Sequence, residues 1–247
     1  MRRLVVISVV MLVFMLSLSG IAYAVQVFYD NFSGGTLDDW TELSGSWSIE
    51  NEELCQSVVD YSYTRGQIAI KDLAREDLSV ETDVEFVELD PNGWAYAGFA
   101  IRYLDENTFY WIVLKQTADE NGLPNSNLRL ELRSKFNYLV VIDMGFVGEL
   151  NTFYRVKAHV EGDSFKIYVN DVLKIEYVDT TFGNAGSVLM WTGRCKANFD
   201  NVIVLNPGSM NVVPEPVPLV ISVLFVATVA MYTLIRRRQS NKIMIKP

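Results

Sequence analysis

Histidine is almost missing from this chain: His159 stands alone among 247 residues. Neither a histidine-rich metal centre nor a Ser-His-Asp relay can be assembled around one imidazole set mid-strand on a basic, solvated face. No glycine-rich phosphate loop precedes a helix-forming stretch, so nucleotide binding has no support. The body shows no repeat at solenoid spacing and no convincing helix. Basic residues are also scarce. Of 21 Lys and Arg, 7 flank the terminal apolar runs, which leaves 14 against all 30 acidic residues and a balance of −16 between Val25 and Val217. A surface with that balance repels polyanions, which excludes nucleic acid as an expected partner; it also attracts divalent cations.

The ends carry targeting signals. Arg2 and Arg3, the apolar run Leu4 to Leu18 and the A-x-A site Ala22-Tyr23-Ala24 read as a secretory signal over 1–24, cut after Ala24. An uncleaved N-terminal anchor is the alternative. No cysteine follows the run, so lipoprotein processing is not expected. A second apolar stretch, Pro218 to Ile235, holds no charge and is followed at once by Arg236-Arg237-Arg238. At about 1.5 Å per residue it suffices for one transmembrane helix over 218–235. The arginines place the tail 236–247 in the cytoplasm and the large domain outside. The linker 207–217 contains Pro214, Glu215 and Pro216. With the helix and the arginine cluster behind it, this motif resembles the Pro-Glu-Pro sorting tails of prokaryotic surface proteins. That resemblance implies cutting near the motif and re-anchoring. The tail Gln239 to Pro247 is longer than such signals usually show, so a permanent single-span anchor stands as the alternative.

Export bears on the two cysteines, Cys55 and Cys195. An even pair in an oxidising compartment predicts a disulfide, which the chain-entropy model values at roughly 4–5 kcal/mol for so long a loop. Two buried free thiols are the other reading.

Between Val25 and Asn206, alternation dominates. Leu128, Leu130 and Leu132 interleave with Arg129, Glu131 and Arg133, and Tyr154, Val156, Ala158 and Val160 interleave with Arg155, Lys157, His159 and Glu161. Period two with one apolar set means half-buried strands. Turn signals such as Asp90-Pro91-Asn92-Gly93 and Glu161-Gly162-Asp163 separate them. The pattern predicts an all-β domain over 25–206, with roughly twelve to fourteen strands in two antiparallel sheets.

Asp30-Asn31-Phe32-Ser33-Gly34-Gly35, running on through Trp40 to Trp47, is echoed by Phe199-Asp200-Asn201-Val202 near the domain's end. Gly98-Phe99-Ala100-Ile101-Arg102-Tyr103 with Phe109-Tyr110-Trp111-Ile112-Val113 reads as a central strand pair, and Tyr154 to Val169 as a later hairpin. Together these segments resemble the concanavalin A-like lectin/glucanase jelly-roll sandwich in its laminin-G-like form. Asn170-Asp171 stands where many relatives have Asp-Gly, a departure confined to a turn.

That resemblance suggests a ligand class and several candidate residues. Glu81-Thr82-Asp83-Val84-Glu85 looks like the E-x-D-x-E strand of laminarinase-type glycoside hydrolases, and would make Glu81 nucleophile, Asp83 its partner and Glu85 the acid/base. The competing reading has Val80, Thr82, Val84 and Phe86 in the core and three carboxylates in water. Asp30 and Asp200 would approach each other if the terminal strands pair. Many relatives carry a structural Ca²⁺, and these two carboxylates could share one, or they could instead satisfy turn amides. Trp94, Tyr96, Tyr103, Tyr110, Trp111 and Trp191 gather around the central strands, with Arg102, Arg129 and Arg133 as forks for sugar hydroxyls. The expected function is non-catalytic binding of extracellular glycan. A Ca²⁺-stabilised module that binds a surface protein and a glycoside hydrolase are the alternatives.

Overall fold

The computed structural model describes residues 25–59, 65–91 and 93–206. The expectations for the signal peptide with its Ala24 site, the linker with Pro214, Glu215 and Pro216, the apolar helix and the basic tail all lie outside the described residues.

Among the described residues fifteen strands, numbered in chain order, form two sheets. The eight-stranded sheet A runs β13 (Val172–Val178), β12 (Ser164–Val169), β11 (Tyr154–Glu161), β6 (Leu78–Leu89), β15 (Cys195–Leu205), β4 (Glu53–Gln56), β3 (Trp47–Glu50), with β1 (Gln26–Asp30) also paired to β15. The seven-stranded sheet B runs β10 (Asn137–Val147), β9 (Asn127–Ser134), β8 (Thr108–Thr117), β7 (Trp94–Asp105), β14 (Ser187–Gly193), β5 (Arg65–Ile70), β2 (Trp40–Ser44). Every pairing is antiparallel, and no helix occurs among the described residues. The terminal strands meet as the echoed segments predict, with Asp30 opposite Val202.

Alternating residues from both sheets fill the interior. Leu128, Leu130 and Leu132 of β9 and Val156, Ala158 and Val160 of β11 are fully buried, as their period-two pattern requires. The expected strand number is slightly low because β3 and β4 are joined by a tight turn without glycine. Asn51 and Glu52 both take positive φ, 54° and 64°, as a type I′ hairpin turn demands. Asn170 and Asp171 do the same at 49° and 63°, so the Asn-Asp pair supplies the turn that Asp-Gly would supply. The Asn170 carboxamide also accepts the Arg155 N–H at 2.9 Å.

The disulfide expectation is overturned: Cys55 and Cys195 are free and buried. Cys195 points into the sandwich, packed in the core, with its thiol 3.4 Å from the Tyr96 carbonyl. On β4 it is Leu54 that enters the core, so Cys55 points out of the other side of the same sheet, toward the Glu53 carbonyl at 3.5 Å. Thiols on opposite faces of one sheet cannot meet without turning a strand over.

Arg102 marks a bulge in β7. Between Ile101 and Asp105 the pairing to β8 shifts register, and Arg102 itself has φ 50°. The neighbouring backbone just before β14 is cramped against it: a Cβ on Gly186 would stand 2.4 Å from the Arg102 carbonyl carbon, so only glycine fits there. The bulge turns the Arg102 side chain inward, where Nε donates to the Glu76 carbonyl (2.8 Å), Nη1 to that of Phe182 (2.8 Å) and Nη2 to that of Gly162 (2.5 Å).

Candidate functional site

Strands β7, β8 and β14 are apolar on both faces. Ala95, Ala97, Phe99 and Ile101 of β7 enter the sandwich, while Tyr96 and Ala100 join a second buried cluster with Phe109, Trp111, Val113, Leu189, Trp191 and Ala69. That cluster occupies the outer face of sheet B, the face turned away from the sandwich interior. Small residues make its floor: Gly98 lies between Val113 and Trp191 across β8, β7 and β14. Gly193 lies beneath Tyr96, whose ring carbon would sit 2.3 Å from any Cβ placed there. The rings then lock edge to face, with Trp111 and Trp191 4.6 Å apart between centroids and Tyr96 4.7 Å from Trp111.

Cations lie over these rings. The Arg133 guanidinium is 5.3 Å from the Trp111 ring and 4.1 Å from that of Tyr138. Arg65 stands 4.5 Å over Phe136 and 5.8 Å over Trp191, while Lys115 and Arg194 lie 5.3 and 5.2 Å over Trp94. Arg133 grips the buried Glu131 carboxylate through Nε at 2.8 Å and also through Nη2, which reaches the Tyr138 hydroxyl at 3.1 Å. Burial pushes the Tyr96 phenol above its ordinary range, while Arg65, hydrogen-bonded to it, pulls the other way. The indole Nε1–H groups of Trp111 and Trp191 are buried without a hydrogen-bond partner. A buried donor left unpaired costs on the order of 1–3 kcal/mol, so two on neighbouring rings are unusual in a packed interior.

The expected ligand residues divide between two faces. Tyr103, Trp111, Arg129 and Arg133 reach the outer face of sheet B or its flank. Arg102 and Tyr110 do not. Arg102 is spent on three carbonyls inside. The Tyr110 hydroxyl donates to Asp179 Oδ1 at 2.5 Å and accepts from the Phe182 N–H at 3.0 Å. Trp191, Tyr96 and Trp94 do join the face, as their place among the central aromatics allows. Arg65, Phe136 and Tyr138 were not singled out from the sequence. Their only signal there is position: Tyr138 stands opposite Arg133 across the β9–β10 hairpin.

Glu81, Asp83 and Glu85 lie on β6 of the other sheet and point outward, with Val80, Thr82, Val84 and Phe86 buried beneath them. Glu81 forms an ion pair with Lys157 Nζ at 2.8 Å. Asp83 pairs with Arg155 Nε at 3.2 Å and accepts from Asn201 Nδ2 at 2.9 Å. Glu85 shares the Asn198 amide with Glu53, each oxygen at 2.8 Å from Nδ2. Burial raises the Glu85 pKa first and the Glu53 charge raises it further, against the Asn198 hydrogen bond. Beside it lies a cavity of about 250 Å³ lined in part by Glu50, Cys55, Lys196 and Asn198.

Asp30 and Asp200 do come close enough for the one to raise the pKa of the other, after burial and alongside Asp83. Their oxygens are used as acceptors: Asp30 takes the Phe32 N–H (2.7 Å) and the Trp40 indole N–H (2.8 Å), and Asp200 takes both Asn201 donors. No cluster of three or more acidic, histidine or cysteine ligands occurs among the described residues, so this pair fits a shared Ca²⁺ poorly. His159 is less solvated than its sequence position suggests, since its Nδ1 is 2.8 Å from the buried Ser79 hydroxyl.

The fold is that of the concanavalin A-like lectins and glucanases. The carbohydrate binding module CBM66 from Bacillus subtilis is similar at TM-score 0.54 and 21% identity, over 68% of this chain and 96% of that one. The Bacillus licheniformis β-glucanase is similar at TM-score 0.55 and 13% identity, over 76% and 99%. The catalytic domain of an endo-1,3-β-glucanase (laminarinase) from Thermotoga petrophila is similar at TM-score 0.55 and 10% identity, over 74% and 98%. No protein-family model matches the chain, and no curated protein matches its sequence.

Proposed function

We propose that the domain over 25–206 is a lectin-like module that binds extracellular glycan on the outer face of sheet B, held at the cell surface by the apolar segment 218–235. The observation that carries this reading is the aromatic face itself, where Trp111, Trp191, Tyr96 and Phe109 pack outside the sandwich core with Arg65 and Arg133 over them. Sugars stack C–H faces on such rings and use forked or planar donors for their oxygens. The likeness in fold to both a carbohydrate binding module and glucanases supports the ligand class.

A glycoside hydrolase is the second reading, favoured by the raised pKa of Glu85 beside Glu53 and a cavity. Against it, Glu81 and Asp83 are held by Lys157 and Arg155. The test is affinity electrophoresis through gels holding single polysaccharides, with reducing ends assayed on any that retards the protein. Retardation without new reducing ends supports a binding module. Reducing ends that disappear in Glu85→Gln would replace it with the hydrolase, and no retardation in any gel would sink both.

A further inference from the structure

We infer that the glycan taken by the outer face of sheet B is anionic, with carboxylate or sulfate groups on its rings; this rests on the carbohydrate-binding reading above. Donors outnumber acceptors on this face. Around the rings stand the guanidinium groups of Arg65 and Arg133 and the ammonium of Lys115, together with the two unpartnered indole N–H groups of Trp111 and Trp191. Against these donors stand the Glu131 carboxylate, shared by Arg133 and by Lys115 at 3.8 Å, and the Asp90 carboxylate, already held by Arg194 at the edge of the face. A neutral sugar brings hydroxyls that donate as readily as they accept, and finds little to donate to here. A carboxylate or sulfate brings acceptors only, which is what an excess of fixed donors requires.

The charge pattern of the domain points the same way. Between Val25 and Val217 there are 14 basic residues against 30 acidic ones, yet this face gathers five cations over its rings, Arg65, Lys115, Arg133, Arg194 and Lys135, against the two carboxylates Glu131 and Asp90 that pair with three of them. A polyanion is repelled by the rest of the surface and attracted here, so charge sets the docking face as well as the affinity. Arg65 and Phe136 stack on each other at 4.5 Å and cover the two indoles; Phe136 is 39% exposed whereas Trp111 and Trp191 are 1% exposed. These two side chains must swing aside for the ligand.

The test uses the full chain in neutral detergent, run through gels of polygalacturonate, a sulfated galactan, levan and β-1,3-glucan, with dextran sulfate as a charge control. We expect retardation in the polygalacturonate or the sulfated galactan, and the gel that retards identifies the acidic group. Trp191→Phe and Trp111→Phe each keep one six-membered ring and delete the N–H with the rest of the indole. We expect each to weaken binding to the anionic glycan roughly 10–100-fold; the smaller ring leaves a gap in this buried cluster and lowers the melting temperature, so binding is read well below the new midpoint. Glu131→Gln removes the competing negative charge while keeping one carbonyl acceptor, and should tighten binding to the anionic glycan alone. Retardation only in levan or β-1,3-glucan would overturn this inference and leave the carbohydrate-binding reading intact. Retardation in no gel would end both. Retardation equal in dextran sulfate and untouched by either tryptophan variant would mean bulk charge, and overturn it as well.

Discussion

Nη2 of Arg102 donates to the Gly162 carbonyl at 2.5 Å, across 60 residues of sequence. With two further carbonyls, from Glu76 and Phe182, this side chain ties together three loops at one end of the sandwich. It is 1% exposed and sits at a positive φ, so its conformation is maintained by those bonds. Arg102→Met, which keeps the volume and removes the donors, is expected to cost about 3–5 kcal/mol in urea unfolding. Glycan retardation below the new midpoint should be unchanged. A loss under 1 kcal/mol would show that the carbonyls find other partners.

The thiols give a second prediction. Burial pushes Cys195 up to about 12, and burial with the neighbouring Glu50, Glu53 and Glu85 charges pushes Cys55 up to about 11. Thiolate is the reactive form, so both should be inert to a thiol reagent at pH 8 in the native protein. In denaturant without reductant, two thiols per chain should titrate, and added reductant should leave the melting temperature unchanged. One or no thiol would mean that the chain can oxidise by a route the paired faces of sheet A forbid.

Tyr110 was a candidate for the ligand and is a structural tie instead. Its hydroxyl bridges Asp179 and the Phe182 N–H, and burial followed by the Asp179 hydrogen bond pushes the phenol up to about 12. Tyr110→Phe should therefore lower stability by about 1–3 kcal/mol, through the unpaired Phe182 N–H and the donor lost to Asp179, which keeps the Thr181 N–H, and leave glycan retardation as it was. Weakened retardation at unchanged stability would return Tyr110 to the site.

The two outcomes for neighbouring residues show where sequence reasoning stopped. Strands polar on one side were legible: Val80, Thr82, Val84 and Phe86 went inside and the three carboxylates outside because alternation leaves no other choice. Strands β7 and β8 are apolar on both sides, so period two could not say whether Tyr110 or Trp111 belonged to the core. The Arg102 bulge then shifted parity by one residue, burying the arginine and turning Tyr103 outward. Arg65 and Phe136 reach the face only through pairings made far away in sequence, which no local pattern displays. The cysteines failed for the same reason, since spacing carries no information about which face each one takes.

Glu85 supplies the last prediction, and its sign decides it. Burial and then the Glu53 charge hold its native pKa above the ordinary carboxylate value of 4.5. The folded protein therefore keeps this proton more readily than the unfolded chain does, and stability contributed by the protonated form is lost as pH rises from 4.5 through the raised pKa. At neutral pH the ionised carboxylate is a net burden, placed against Glu53 with one shared amide between them. Glu85→Gln removes the charge and keeps an acceptor for Asn198. Its melting temperature should exceed that of the parent by on the order of 2 °C at pH 7, and the gap should close by pH 4. If the residue is instead a catalytic acid, the same substitution abolishes release of reducing ends whatever it does to stability. A gain at pH 7 with retardation intact and no hydrolysis in the parent would leave Glu85 as an unrelieved charge on the back sheet, and the aromatic face of sheet B as the working surface.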